Sequence, residues 1–130
     1  MANVLLEKNI IPDLIMSSTA VRAFEFAKVI AKVTGFKPKN IFRERDLYLA
    51  SPEDMLKIVR QTGVENNIVF LVAHNPGITD FANMLANCSI DNIPTSGIVS
   101  IKFDVDSWKN VSFGKGQFEF FDYPRNYCKE

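Results

Sequence analysis

Apolar residues fall into two kinds of spacing along this chain. In one place they run without a break, Ile68-Val69-Phe70-Leu71-Val72-Ala73, between Asn67 and the polar turn His74-Asn75-Pro76-Gly77. An apolar run of that length bounded by turn residues predicts a strand covered on both faces, as in parallel α/β sheets. After the turn the spacing changes to three and four residues, at Ile78, Phe81, Ala82 and Leu85, which predicts a helix. His74 is thereby placed at a strand-to-helix junction. In open α/β folds that edge, just past the carboxyl ends of the strands, is where ligands bind.

The same order of elements occurs earlier. Residues 1–9 have helical spacing but no capping residue ahead of them. Leu14-Ile15-Met16 predicts a short strand ending at Ser17-Ser18-Thr19, three residues suited to capping a helix. Ala23, Phe26, Ala27, Ile30 and Val33 or Thr34 then predict a long helix that Gly35 stops. Residues 41–48 read as a short strand or extended loop, with Arg43, Glu44, Arg45 and Asp46 pairing on a solvated edge. Ser51-Pro52-Glu53-Asp54 is a helix start, with Ser51 as N-cap, and the helix buries Met55, Leu56 and Val59 before Gly63. Farther on, Thr95-Ser96-Gly97 precedes a strand over 98–103. Asp104 to Trp108 predicts a turn with a short helical piece. The alternating run Gln117-Phe118-Glu119-Phe120-Phe121 predicts an antiparallel strand. The pattern as a whole is α/β, a mostly parallel sheet with antiparallel strands at the C-terminal end.

Composition narrows the chemistry. At 130 residues and 47% hydrophobic, the expectation is one domain over residues 1–130. Lys plus Arg and Asp plus Glu are 15 each, so the charge balance suggests neither nucleic acid nor an anionic membrane as partner, and any anion site must be local. Cys88 and Cys128 suit neither a disulfide framework nor a zinc site, and there is no signal peptide or long apolar span; a reducing cytoplasm is the simplest compartment. A single histidine and no cysteine cluster lead us to expect no metal and no cofactor. Asp104 and Asp106 read as a capped turn, since they lack the spacing of a calcium loop.

Three small polar turns remain: Ser17-Ser18-Thr19 with Arg22, His74-Asn75-Pro76-Gly77, and Thr95-Ser96-Gly97. If their strands are neighbours, the turns gather on one edge and offer helix N-termini, hydroxyls, a guanidinium and an imidazole. That set suits a phosphate or another oxyanion. A cation in the first turn of a helix, as Arg22 is, is unfavourable unless an anion lies nearby. Taken alone, Arg22 is better explained as a solvated arginine on the outer face, and His74 equally well as a hydrogen-bonded histidine at a strand end.

In order and spacing these pieces resemble the histidine phosphatase superfamily, and within it the short SixA-type phosphohistidine phosphatases. The resemblance is carried by Pro12 to Ser18, Val21-Arg22-Ala23, Leu47-Tyr48, Ala50 to Leu56, His74-Asn75-Pro76-Gly77, Pro94-Thr95-Ser96-Gly97 and Phe103 to Trp108. It implies a three-layer α/β/α fold of the phosphoglycerate mutase type. It also implies hydrolysis of phosphohistidine or small phosphoesters through a phosphohistidine intermediate. Arg22 and His74 would be the catalytic residues that bind the phosphoryl oxygens, with Ser18, Asn75, Thr95 and Ser96 as substrate-binding residues. The implied partner is phosphate or a phosphorylated substrate, including a histidine-phosphorylated protein. The sequence departs from the family at Thr19, Phe26 and Ala73, and more seriously in having no Arg-His-Gly motif, whose histidine attacks phosphorus. We therefore expect the family's first strand to be missing and the domain to be N-terminally incomplete. Little activity is expected as given, with self-association through the vacated strand position. Glu44 and Asp46 are candidate proton donors. The competing reading is a non-catalytic phosphate- or phosphoprotein-binding module.

Overall fold

A strand of Leu14–Ser18 (β1) forms where the predicted apolar run lies, extended by two serines. In the computed structural model, which describes residues 2–94 and 96–123, β1 is the middle of a three-stranded parallel sheet. Met1, Thr95 and Cys128 fall outside the described residues. The chain divides into two compact units. An N-terminal unit holds residues 2–50 and 65–74, and a C-terminal unit holds residues 51–64 and 75–123.

In the N-terminal unit, α1 (Ala2–Glu7) precedes β1, and α2 (Val21–Thr34) follows it. Next come β2 (Phe42–Glu44) and, after the chain returns at residue 65, β3 (Val69–Val72). The sheet order is β2-β1-β3, and both pairings are parallel. Parallel neighbours need a long crossover, which α2 supplies between β1 and β2. That helix packs on β1 and on α1, burying Ala23, Ala27, Ile30, Ala31 and Thr34. The small residues on this face let the helix lie close to the strand. Thr34 hides its hydroxyl by donating to the Ile30 carbonyl at 2.8 Å, and Gly35 ends the helix at φ +82°, a left-handed conformation that suits glycine.

Asp13 sets the register of β1 against β3. Its Oδ2 accepts from the backbone N–H of Asn67 (2.8 Å) and of Ile68 (2.9 Å), while its own N–H donates to the Ile68 carbonyl (2.8 Å). One side chain thus ties the entry of β3 to the entry of β1. From there Leu14 lies opposite Val69, Ile15 opposite Phe70, Met16 opposite Leu71 and Ser17 opposite Val72.

The sequence pattern predicts β3 covered on both faces, but Val69, Phe70 and Leu71 are only half-buried. The reason is position: among the described residues β3 pairs with β1 alone and forms the edge of its sheet. The opposite edge, β2, is three residues long and carries Arg43 and Glu44, the short, charged form in which edges are normally protected. The edge at β3 is wholly apolar.

The C-terminal unit holds α3 (Pro52–Arg60), α4 (Gly77–Ala86), and the antiparallel pair β4 (Ile98–Lys102) and β5 (Gln117–Asp122). Ser51 caps α3 as expected, its Oγ accepting from the Asp54 N–H at 3.1 Å. The buried residues of α3 are Met55, Ile58 and Val59, so Ile58 takes the place expected for Leu56. This helix packs against α4 and against a 3-10 turn at Trp108–Asn110, where Arg60 Nε donates to the Lys109 carbonyl at 3.0 Å.

The Asp13 clamp generates a prediction. Asp13→Ala removes two hydrogen bonds to a carboxylate at an exposed position, and the chain should lose about 1–2 kcal/mol of unfolding free energy. Urea denaturation checks this; an unchanged midpoint would show that the register holds without the clamp.

Candidate functional site

The β1–β3 register decides what meets at the carboxyl end of the parallel sheet. Ser17 lies opposite Val72 on one side, and Ser18 lies opposite Glu44 on the other. Neighbouring strands are about 4.8 Å apart, so the exits of β1, β2 and β3 bring Ser18, Glu44 and the Ala73-His74 step to one edge.

The turn after β1 does not do what its composition predicts. Ser17 and Ser18 are fully buried, each 0% exposed, and belong to the strand. Ser17 Oγ donates to the Ser18 carbonyl (2.8 Å), and Ser18 Oγ accepts from the Ala20 N–H (3.2 Å). The N-cap of α2 is Ala20, which has no side-chain acceptor, and no acidic residue stands in the first turn. Thus the serines fix the turn and leave the helix N-terminus uncapped. Arg22 lies in that first turn, exposed, with neither an ion pair nor a hydrogen bond among the described residues. A cation there adds to the positive end of the helix dipole, at a cost of about 0.3–1 kcal/mol when no anion is present.

His74 follows β3 by two residues and is half-buried. Its Nε2 is buried and has no hydrogen-bond partner among the described residues. A buried polar atom left unpaired costs about 1–3 kcal/mol, and among the described residues Thr62 Oγ1 is the other such side-chain atom. The imidazole meets the ring of Tyr48 edge to face, with centroids 6.3 Å apart and planes at 90°.

The charged segment after β2 also differs from expectation. No ion pair joins residues 43–46. Glu44 Oε2 instead accepts from the Asp46 N–H at 3.0 Å and opens a 3-10 turn at Arg45–Leu47. Arg43 leaves the edge and lies over the ring of Phe24, 4.2 Å from its centroid, and Lys28 Nζ approaches the same ring at 5.2 Å. Local capping and a π-face satisfy these groups better than exposed pairing, which is worth little. Of the two candidate proton donors, Glu44 ends β2 in register with Ser18 but is engaged as a cap, and Asp46 is exposed in the turn beyond it.

Asn75 and Ser96 belong to the C-terminal unit. The Asn75 side chain donates from Nδ2 to the Ile93 carbonyl at 2.7 Å and accepts at Oδ1 from the Thr79 hydroxyl. Thr79 Oγ1 in turn accepts from the Ile93 N–H at 3.0 Å. These three groups tie the start of α4 to the segment ahead of Ser96. There Gly97 N–H closes a turn onto the Pro94 carbonyl at 2.9 Å, with Ser96 at φ +64°. A Cβ on Gly97 would meet that same carbonyl oxygen at 2.9 Å, so glycine is needed by space as well as by the turn. Thr79 escaped the sequence reading; its signal is the four-residue spacing from Asn75, which puts both on one side of the helix start. Among the described residues no group of three or more His, Cys, Asp or Glu could hold a metal ion. No helix among them is long and apolar enough to cross a membrane.

Thr79 is 5% exposed, and Thr79→Val would strand the Ile93 N–H and the Asn75 carbonyl oxygen together. We expect a loss of about 1–3 kcal/mol in chemical denaturation, with Thr79→Ser retaining most of the stability. A Thr79→Val chain as stable as the parent would contradict the network.

No family model matches this sequence, and no curated protein does. Solved structures do. The structure described as "putative phosphohistidine phosphatase SixA" from Agrobacterium tumefaciens is 22% identical, with a TM-score of 0.77 over 95% of this chain and 75% of that one. A second of the same description, from Nakamurella multipartitia, is 15% identical, with a TM-score of 0.76 over 95% of this chain and 77% of that one. At such identities the likeness is one of architecture: the chain has the mixed α/β fold of these SixA structures, with its parallel sheet and C-terminal antiparallel pair.

Proposed function

We propose that this chain is a SixA-like, cytoplasmic phosphatase domain whose site takes the phosphoryl group of a phosphohistidine or a small phosphoester. The observation that carries the reading is the buried, unpartnered Nε2 of His74, at the same sheet edge as β1, whose exit leads to an uncapped helix N-terminus with an unneutralised Arg22. A phosphoryl group suits these groups in chemical terms. The first-turn N–H groups of α2 and the dipole favour an anion, and the guanidinium can take two oxygens at once. The imidazole supplies a further donor when protonated at Nε2. Such groups stabilise the charge that spreads over the equatorial oxygens during phosphoryl transfer. Ser18 supports the site by shaping the turn that leads into α2.

His74 is the chain's single histidine, and in this reading it grips phosphate rather than attacking it. With His74 in that role, covalent transfer through histidine would need a different imidazole as the nucleophile. The 130-residue chain should therefore bind phosphate and hydrolyse little. That single histidine also favours the second reading, a non-catalytic module for phosphate or a histidine-phosphorylated protein, which shares the binding site and differs only in turnover. The uncovered apolar edge of β3 fits the accompanying proposal of self-association, which sedimentation at rising protein concentration tests directly.

Phosphate at about 100 times its dissociation constant should stabilise the chain by about 2.7 kcal/mol, read as a raised Tm. Arg22→Ala should abolish most of that gain while slightly raising the Tm without phosphate, because the uncompensated cation is gone. No stabilisation by phosphate or tungstate would remove the site. Turnover of an aryl phosphate by this chain, lost in His74→Ala, would contradict the division of roles.

A further inference from the structure

We propose that Tyr48 is the positioning residue of this site, holding the His74 imidazole so that Nε2 faces the anion; this rests on the phosphate-binding reading above. Nε2 has no hydrogen bond among the described residues, so hydrogen bonding at that nitrogen does not set the plane of the ring. The Tyr48 ring does meet it, at right angles and 6.3 Å between centroids, the edge-to-face geometry that aromatic pairs prefer.

The backbone around Tyr48 is fixed out of proportion to the burial of its side chain. Leu47, just before it, is 0% exposed and anchors the 3-10 turn, while the Glu44 carboxylate caps the start of that turn. Tyr48 N–H donates to the Arg45 carbonyl (3.1 Å), and Ala50 N–H donates to the Leu47 carbonyl (3.2 Å). Leu49, between them, is held at φ +56°, where leucine is rarely found, and is 76% exposed. Strained, exposed backbone of this kind persists where the surroundings over-determine it, and it clusters at binding sites. Here the local structure holds in place a ring that is itself 55% exposed and gains little from burial. That ring meets His74 edge to face.

The test measures phosphate affinity, Tm without phosphate, and the ring-proton shifts of His74 by NMR, in the 130-residue chain and in Tyr48→Phe, Tyr48→Leu and Tyr48→Ala. Because there is one histidine, its ring signals need no assignment by mutation. Tyr48→Phe should bind phosphate within about two-fold of the parent, because the ring edge remains. Tyr48→Leu and Tyr48→Ala should bind about 3–10-fold more weakly, with Tm nearly unchanged and the His74 signals displaced by the lost ring current. Equal affinity in Tyr48→Ala and the parent would overturn the proposal. So would Tyr48→Phe as weak as Tyr48→Ala, which would make the hydroxyl a direct phosphate contact. If the parent binds no phosphate, the functional reading fails on its own. The His74 shifts still decide the contact: signals identical in the parent and Tyr48→Ala would overturn it.

Discussion

The parallel pairing of β1 with β3 is the constraint on which the candidate site depends. A slip of one residue between the two strands would turn every side chain of β3 to the opposite face and move His74 away from the exit of β1. Parallel strands have no tight turn to set their register, so something else must. Asp13 does so by accepting two N–H groups at the entry of β3, after which each pair from Leu14 and Val69 to Ser17 and Val72 follows. A carboxylate at one end of the sheet thereby places the imidazole at the other.

The N-terminal unit leaves three groups uncompensated: the first turn of α2, the guanidinium of Arg22 and Nε2 of His74. The rest of the chain shows that this is not a general failing of its helices. α3 begins with a serine cap and has Glu53 and Asp54 in its first turn, and α4, though uncapped by a side chain, has Asp80 there. The buried hydroxyls of Thr34 and Thr79 are each hydrogen-bonded, whereas Thr62 Oγ1 in the C-terminal unit is, like Nε2 of His74, without a partner among the described residues. In the proposed reading one oxyanion would compensate the first-turn N–H groups, Arg22 and Nε2 together.

Much of this was legible in the sequence because it rests on local rules. Hydrophobic spacing predicts α2, α3, α4, β3 and the β4–β5 hairpin, while Ser51 and Gly35 mark their helix ends correctly. The strand-to-helix position of His74 followed from the change of period alone. What escaped were choices between competing partners. Ser17 and Ser18 looked like caps, but their hydroxyls bond the turn instead. The charges at 43–46 looked like surface pairs, yet Arg43 prefers the Phe24 ring and Glu44 its own turn. Asp13, Thr79 and Tyr48 act through residues remote in the chain or across a helix turn, and composition has no means of naming such partners. The burial of β3 was overestimated because apolar content predicts how much cover a strand can use, not how many neighbours it has.

In the proposed reading an oxyanion completes the electrostatics around His74, and the imidazole itself reports on it. In a long-range ¹H–¹⁵N spectrum of the 130-residue chain, the one histidine gives one ring pattern, observable as phosphate is added. The Nε2 signal should move saturably with phosphate, should not move with chloride, and should cease to respond in Arg22→Ala. A folded chain whose His74 signals stay in place throughout the phosphate titration would contradict it.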